Sequence, residues 1–168
     1  EGQGLRRAVE LAVEEVNAAK RFPFRIEAAP FDDRADPKEA VNVANLIVSD
    51  LRVVAVIGHY NSGCAIPAAK VYARGQVAMI SPAATNPEVT KQQLSPDWRG
   101  PKNVFRVVPT DDVQGSYSAN FVYEKLGKRK MSIMHDKSPY GQGLAEEFKR
   151  TFESLGGQVL TEDGVSVG

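Results

Sequence analysis

The sequence predicts an α/β fold built on parallel strands. Two short apolar runs, at residues 53–57 and 77–80, are separated by a helical pattern, and each opens into a small polar loop. Uninterrupted apolar runs of this length are typical of strands buried on both faces of a parallel sheet. Strands and helices alternate along the rest of the chain, which is the pattern of the α/β class. We therefore expect the two loops to lie side by side at the carboxyl edge of one sheet, where open α/β folds bind ligands.

The first elements follow from local patterns. In residues 3–20 apolar side chains recur every three or four positions, opposite most of the charged ones, which predicts an amphipathic helix. Apolar and charged side chains alternate over residues 24–28, which predicts an edge strand. A second helix is predicted from Asp36 to about Asp50, because a cap residue, a proline and a glutamate stand there at the spacing of a helix start. The side chains that this helix is expected to bury are Val41, Ala44, Ile47 and Val48.

The remaining elements repeat the alternation of strands and helices. A helix capped by Ser62 is predicted over residues 63–74, and a short helix is predicted to begin at Asn86. The other predicted elements are a surface loop at 91–102, strands at 104–108, 131–134 and 158–160, and helices at 112–126 and 140–155. The pattern restarts after Pro109, so we predict a domain boundary that divides residues 1–109 from residues 110–168.

The composition excludes several classes of protein. Hydrophobic residues make up 42% of the chain and charged residues 25%, which is the balance of a globular protein. Twenty-one basic residues oppose 21 acidic ones, so the chain lacks the positive field of a nucleic-acid-binding protein. No apolar stretch reaches the roughly 20 residues of a membrane-spanning helix. A single cysteine, Cys64, excludes an internal disulfide framework and a multi-cysteine metal site.

Sequence motifs give little support to an enzyme. Residues 2–4 and 141–143 each carry two glycines but lack the third glycine of a dinucleotide-binding loop. Ser62 lacks the preceding glycine of a nucleophile elbow. His59 and His135 each follow an apolar run without an ordered carboxylate partner in the sequence, so a hydrolase remains only a weak alternative.

Metal and cofactor sites are not expected either. Three aspartates lie close together, but Asp36 serves as a helix cap, and Asp32 and Asp33 suit a turn. We therefore predict no catalytic residues, no cofactor and no metal for this chain.

The polar groups expected at the sheet edge are small. Ser62, Ala83, Ala84, Thr85 and Asn86 leave backbone N–H and C=O groups accessible, and two helix starts point free N–H groups into the same region. This combination suits a carboxylate. The alternative, which the residues leave open, is that Ser62 and Asn86 are only helix caps and that Thr85 is only a loop hydroxyl.

Four segments of the chain, at residues 31–37, 56–59, 79–88 and 135–145, resemble the leucine/isoleucine/valine-binding proteins. These are the periplasmic receptors of branched-chain amino-acid ABC transporters, in the type I periplasmic-binding-protein fold. The resemblance implies a doubly wound, three-layer parallel sheet whose first strand and C-terminal half lie outside this chain. Residues 1–109 then correspond to the front part of the first ligand-binding lobe, and residues 110–168 to the beginning of the second.

The resemblance also implies roles for individual residues. Ser62 and Thr85 give hydroxyl contacts, and the backbone of Ala83 and Thr85, with Ala84 between them, holds the α-carboxylate and α-ammonium of the ligand. Tyr140, from the second lobe, closes over the ligand. Some relatives carry paired cysteines where this chain has Ala35 and Asn61.

By this resemblance, the chain is expected to belong to a solute-binding protein that captures an amino acid or a similar small carboxylate. Its partner is the permease of an ABC transporter, and its location is periplasmic or extracellular, with the signal peptide outside this chain. A ligand-sensing domain of a membrane receptor with the same fold is the alternative. We also expect association with another copy of the chain or with the missing segments, because two incomplete sheets expose edges and apolar faces.

Overall fold

The computed structural model describes residues 2–166 as alternating strands and helices that form two parallel sheets. The first sheet has the order β1-β2-β3, with β1 at Ala55–Ile57, β2 at Ala78–Ser81 and β3 at Val104–Arg106. The second sheet pairs β4, Lys130–His135, with β5, Gln158–Gly164. The predicted α/β class with parallel sheets is therefore confirmed.

Helices connect the strands in the predicted order. The α-helices are α1 (Gly2–Ala18), α2 (Pro37–Ser49), α3 (Ser62–Arg74), α4 (Glu88–Lys91), α5 (Asp111–Asn120) and α6 (Pro139–Ser154). A 3₁₀ turn, Gln92–Leu94, follows α4, and a π-helical turn, Phe121–Lys125, continues α5. Within residues 2–166, none of these helices combines the length and the apolar character that crossing a membrane requires.

The main core lies between the first sheet and the helices α2 and α3. Small side chains such as Ala44 and Ala68 are fully buried where the two helices pack, so their backbones approach closely. Tyr72 and Met79 fill the space between α3 and the sheet. A second, smaller core centres on the fully buried Phe152, whose ring stacks on Phe148 and meets the edge of Tyr123.

The start of α2 confirms the prediction from local sequence. The Asp36 carboxylate accepts hydrogen bonds from the backbone N–H groups of Lys38 and Glu39, both at 2.8 Å, and Pro37 occupies the first turn. Burial differs partly from the prediction. Ala44 and Ile47 are buried as expected. Val41 and Val48 are only partly buried, and Ala40 and Val43 are buried instead.

The predicted edge strand at residues 24–28 is wrong. Within the described residues this segment pairs with no strand, and Phe24 is largely exposed. The side-chain amide of Asn17, on α1, donates to the Ile26 carbonyl at 2.8 Å and accepts from the Ile26 N–H at 2.9 Å. A helix side chain thus satisfies the backbone N–H and carbonyl of Ile26, the groups that a neighbouring strand would otherwise bind.

The predicted surface loop at 91–102 is more ordered than expected. It begins with the turn Gln92–Leu94, where Gln92 is buried and its amide donates to the Ile66 carbonyl at 2.9 Å. The neighbouring Gln93 donates to the Val104 carbonyl at 2.8 Å and accepts from the Val104 N–H at 3.2 Å. One glutamine amide thus takes the place of a strand neighbour beside β3.

The boundary between the predicted lobes falls in the connection from β3 to α5. The first sheet precedes Pro109 and the second follows Thr110, which is the cap residue of α5. The division into lobes at 1–109 and 110–168 stays a prediction, and its outer limits at Glu1 and Gly168 lie outside the described residues.

Candidate ligand-binding site

The two polar loops meet at the carboxyl edge of the first sheet. Strands β1 and β2 are parallel neighbours with Ile57 opposite Ile80, and the Gly58 N–H donates to the Ile80 carbonyl at 3.0 Å. The loop after β1 leads into α3, and the loop after β2 leads into α4. The juxtaposition expected from two parallel strand ends is therefore present.

Ser62 joins these two loops. Its side chain is 2% exposed, and its hydroxyl oxygen accepts a hydrogen bond from the Asn86 N–H at 3.2 Å. The prediction that Ser62 caps α3 is wrong, because Ser62 is the first helical residue and Asn61 occupies the cap position without a side-chain hydrogen bond. The Ser62 O–H makes no donor contact within residues 2–166, so it can donate to a ligand oxygen.

The backbone after β2 is only partly hydrogen bonded within the protein. The Ala84 N–H donates to the Ser81 hydroxyl at 3.0 Å, and the Thr85 carbonyl accepts from the Asp111 N–H at 3.0 Å. The Ala84 carbonyl accepts from Arg106 at 3.2 Å. Among the described residues, the Ala83 carbonyl and the Thr85 N–H have no hydrogen-bond partner, and the same holds for the Pro82 carbonyl and the Ala83 N–H. A free acceptor on Ala83 and a free donor on Thr85 therefore stand two positions apart, in the loop that Ser62 contacts through the Asn86 N–H.

Ala84 differs from its two neighbours. It is almost completely buried, and both of its backbone polar groups are engaged within the protein. A ligand contact at Ala84 stays a prediction, and it would involve the methyl group only.

The Asn86 side chain connects the loop after β2 to the start of α6, the helix between the two strands of the second sheet. Its side-chain oxygen accepts from the Glu88 N–H at 2.9 Å, and its side-chain nitrogen donates to the Pro139 carbonyl at 2.8 Å. The first turn of α6 packs closely here, since a Cβ added at Gly63 would stand 3.2 Å from the Pro139 ring and one added at Gly143 would stand 2.8 Å from the Asn86 side chain. Glycine at both positions permits this close approach.

Tyr140 is the second residue of α6 and follows Pro139 directly. Its side chain is 39% exposed. The Ser138 hydroxyl caps the helix by accepting from the Gly141 N–H at 3.0 Å, and its hydrogen bonds with Asp136 lower the pKa of that carboxyl. Asn86 and Pro139 link Tyr140 to the strand-end loops. A direct contact of Tyr140 with Ser62 or Thr85 is absent from the described hydrogen bonds.

A buried polar network lies directly behind the loops. One ring nitrogen of His59 contacts the Asp33 carboxylate at 2.6 Å, and the other contacts the Tyr72 hydroxyl at 3.0 Å. The His59 carbonyl accepts from the Ser81 hydroxyl at 3.1 Å, and Ser81 in turn holds Ala84. The network is structural in character, because His59 and Tyr72 are both buried and their polar groups are hydrogen bonded to each other and to Asp33.

Burial and hydrogen bonding shift the acidity of this network. The hydrogen bond from His59 lowers the pKa of Asp33, although partial burial opposes the change. Burial raises the pKa of the neighbouring Cys64 thiol to about 12, and the Asp33 charge adds to the rise. Burial also raises the pKa of Tyr72.

The sequence interpretation missed both members of the His59 and Asp33 pair. It found no ordered carboxylate for His59 and assigned Asp33 to a turn. Asp33 does serve the turn, since its other oxygen accepts from the Ala35 N–H at 2.9 Å. The two residues are 26 positions apart, and no local pattern signals such a contact.

Arg106 and Asp111 are the other polar residues that the sequence interpretation missed. Arg106 donates to several acceptors in the loop after β2. Asp111 is completely buried at the start of α5, and burial raises the pKa of its carboxyl while the Thr85 side chain and Arg106 oppose the rise. Among the described residues, no group of three or more histidine, cysteine, aspartate or glutamate side chains is arranged to hold a metal ion.

The family match is to the periplasmic binding proteins, and the similar proteins include amino-acid-binding proteins. The family model for the periplasmic binding proteins matches residues 1–168. The chain is 40% identical, over 168 residues and 99% of its length, to the Leu/Ile/Val-binding protein homolog 1 of Brucella abortus (strain 2308), and it covers 43% of that protein.

Two solved structures share the fold. The leucine-binding protein LivK from Thermotoga maritima superposes with a TM-score of 0.80 at 30% identity, over 96% of this chain and 45% of that one. The branched-chain amino acid transporter substrate-binding protein LivJ from Streptococcus pneumoniae, in complex with isoleucine, gives a TM-score of 0.79 at 30% identity, over 95% of this chain and 43% of that one. The chain thus spans less than half the length of each of these proteins.

The fold and the relatives lead to one assignment. The parallel sheets superpose on those of the leucine- and isoleucine-type receptors, and the resemblance to the Leu/Ile/Val-binding proteins is confirmed along the whole chain. Since the family match extends over all 168 residues, the chain belongs to the periplasmic binding protein family.

Proposed function

We propose that this chain carries one wall of the ligand site of an extracytoplasmic solute-binding protein that captures an amino acid or a similar small carboxylate. The observation that carries the proposal is the pair of unused backbone groups, the Thr85 N–H and the Ala83 carbonyl, beside the Ser62 hydroxyl. The isoleucine bound to the related S. pneumoniae protein supports the same class of ligand.

The carboxylate of the ligand takes the donors of this site. The Thr85 N–H and the Ser62 O–H are both unused as donors within the described residues, and hydrogen bonds to an ionised carboxylate are stronger than those between neutral groups. Ala83 and Ala84 carry only methyl groups, so no large side chain blocks the approach to the backbone.

The ammonium of the ligand takes the acceptors. The Ala83 carbonyl is free, and the Thr85 hydroxyl adds a second acceptor on the same loop. In a bound amino acid the carboxylate then meets the donors and the ammonium meets the acceptors. The side chain of the amino acid faces the cleft between the two lobes. Tyr140 is the residue of the second lobe that we expect to close over it.

Capture without turnover fits the chemistry of this edge. Among residues 2–166 the Ser62 hydroxyl has one hydrogen bond, accepted from the Asn86 N–H, and His59 is hydrogen bonded to Asp33 and Tyr72 instead of to Ser62. Closure of the two lobes then serves retention of the ligand and its delivery to the permease of an ABC transporter. Ligand contacts from both lobes are satisfied together only in the closed state, which is how binding drives closure.

Binding measurements on the full-length protein test this proposal. We expect leucine, isoleucine or valine to raise the unfolding temperature, because a ligand that binds only the folded state stabilises it. Leucinamide lacks the carboxylate and 4-methylpentanoate lacks the ammonium, and each should bind at least about tenfold more weakly than leucine. Equal binding of leucine and leucinamide would contradict the proposed carboxylate site.

Self-association is a further part of the proposal. Apolar side chains of α1 face a groove of about 390 Å³ that Ile57 closes on the side of the first sheet. The α1 residues that line it are Leu5, Ala8, Val9, Ala12, Val13 and Val16. A second copy of the chain would cover this apolar surface. A monodisperse monomer of residues 1–168 in solution scattering would count against it.

A further inference from the structure

We propose that Arg106 is the positioning residue of the ligand-binding loop, which we define as residues 83–87. The inference rests on the proposed function of that loop and adds a residue that does not itself face the ligand. Arg106 holds the loop in its binding shape and strengthens the Thr85 N–H as a donor to an anionic group.

Arg106 is well placed for this role. It is the last residue of β3, directly opposite Ser81 in the register of the sheet, so its side chain starts beneath the point where the loop leaves β2. The side chain is partly buried rather than solvated. Burial lowers the pKa of Arg106, yet an arginine side chain remains protonated at neutral pH.

The guanidinium binds four acceptors, three of them carbonyls of the loop and the fourth a hydroxyl on α4. One terminal nitrogen donates to the Ala84 carbonyl at 3.2 Å. The other has two N–H groups, which it shares among the Asn86 carbonyl at 2.9 Å, the Pro87 carbonyl at 3.1 Å and the Thr90 hydroxyl at 2.8 Å. A planar fork can reach several fixed acceptors at once, whereas the single ammonium of a lysine cannot reproduce this pattern.

The contact with Ala84 also acts on the neighbouring donor. The Ala84 carbonyl and the Thr85 N–H belong to the same peptide unit. A cationic donor on the carbonyl oxygen draws electron density towards it, and hydrogen bonds linked in this way strengthen one another. The Thr85 N–H, which is the group proposed for the ligand carboxylate, becomes a better donor without any contact between Arg106 and the ligand.

The other polar groups around the loop complete the arrangement. The Asp111 N–H holds the Thr85 carbonyl from the side of α5, and the Ser62 hydroxyl holds the Asn86 N–H from the side of α3. Arg106 connects Ala84, in the middle of the loop, to Thr90 on α4, and the Asn86 side chain adds a second connection through the Glu88 N–H. Its removal would leave the buried Ala84 carbonyl without a partner in the described structure.

Two measurements on the full-length protein test the inference. Hydrogen exchange of the free protein reports the order of the loop, and calorimetry reports leucine affinity. In Arg106→Gln we expect amide exchange at Asn86 and at residues 88–90, whose N–H groups are hydrogen bonded, to rise at least about tenfold. Leucine affinity should fall at least about tenfold, with Arg106→Lys between this variant and the wild type in both measurements. Exchange in the middle of α3 should stay unchanged, which separates a local effect from general unfolding.

Control variants sharpen the test. Arg52→Gln removes an arginine of the exposed surface whose side chain, within residues 2–166, is paired with Asp50, and it should leave both readouts unchanged. Thr90→Val removes one of the four acceptors and keeps the guanidinium, so it should shift loop exchange in the same direction by a smaller factor. Thr90→Val carries the test if Arg106→Gln does not fold.

The two readouts also distinguish the failure of this inference from that of the proposed function. If amide exchange of the loop in Arg106→Gln matches the wild type, the role of Arg106 is overturned. If Arg106→Gln does not fold, the same outcome in Thr90→Val overturns it. Absence of binding of leucine and the other amino acids by the wild-type protein would overturn the proposed function, while the exchange measurement would still decide whether Arg106 positions the loop.

Discussion

The Ser62 hydroxyl accepts a hydrogen bond from the Asn86 N–H at 3.2 Å, although the two residues are 24 positions apart. This contact ties the first turn of α3 to the loop after β2. Because Asn86 also donates to the Pro139 carbonyl at 2.8 Å, a short path of hydrogen bonds runs from Ser62 to the start of α6. These hydrogen bonds therefore connect the proposed carboxylate site to α6, the helix that carries Tyr140.

The contact between Asn86 and Pro139 predicts the effect of Gly143→Ala. A Cβ at Gly143 would stand 2.8 Å from the Asn86 side-chain nitrogen, so the added methyl group pushes this side chain off the Pro139 carbonyl. We expect leucine affinity in the full-length protein to fall by about 1 kcal/mol, the net value of one hydrogen bond. Calorimetric titration measures this change.

A matched variant controls for the glycine itself. Gly4 also lies in a helix, α1, but a Cβ there meets nothing within 4 Å. Gly4→Ala should stabilise the protein by at most about 1 kcal/mol, through helix propensity, without changing leucine affinity. Wild-type affinity in Gly143→Ala would show that the contact does not take part in closure.

The pair of Asp33 and His59 predicts a dependence of stability on pH. The hydrogen bond from His59 lowers the pKa of Asp33 below its ordinary value of 3.8. A carboxylate with a lowered pKa stabilises the fold above the pKa of the unfolded chain, and this stability is lost as the pH falls through the folded pKa. We expect Asp33→Asn to lower the free energy of unfolding by roughly 1.5–3 kcal/mol near neutral pH, the range for a hydrogen bond to a charged group.

Urea denaturation at about pH 7, 5 and 3 measures this effect. The difference between wild type and Asp33→Asn should persist at the two higher values and shrink below about pH 4. The exposed Asp97 offers a control, and Asp97→Asn should stay within about 0.5 kcal/mol of the wild type throughout. A constant difference between wild type and Asp33→Asn down to the lowest pH would contradict the assigned pairing.

The burial of Cys64 predicts that its thiol is inert in the folded protein. Burial raises its pKa to about 12, and only the thiolate reacts with disulfide reagents. Ellman's reagent near pH 8 should therefore label the native protein negligibly and the unfolded protein at its single cysteine. Ser49→Cys, at an exposed position, should react quickly without denaturant. Fast native labelling of the wild type would mean that the loop after β1 is packed differently.

Features that depend on neighbouring residues could be predicted from the sequence. The cap at Asp36, the proline after it and the apolar runs of β1 and β2 each act within a few positions, so local patterns identified them. The proximity of the two strand-end loops then followed from the rule that parallel strands end at the same edge.

Features that depend on distant partners could not be predicted. The strand expected at residues 24–28 does not form, and the Asn17 side chain there hydrogen bonds to the backbone N–H and carbonyl of Ile26. The Ser62 hydroxyl accepts from the Asn86 N–H of the neighbouring loop instead of capping its own helix. The contacts of His59 with Asp33, and of Arg106 with Ala84, join residues more than 20 positions apart. Such pairs depend on the tertiary fold, and no spacing in the sequence signals them.

Calorimetric titration of the full-length protein with leucine, in the wild type and in Ser62→Ala and Thr85→Ala, tests the central claim most directly. Each variant removes a hydroxyl that we assign to the ligand, so each should weaken binding by about 1–3 kcal/mol, the cost of leaving a buried polar group unpaired. Leucine affinity equal to that of the wild type in both variants would contradict the assignment of the two strand-end loops as the ligand site.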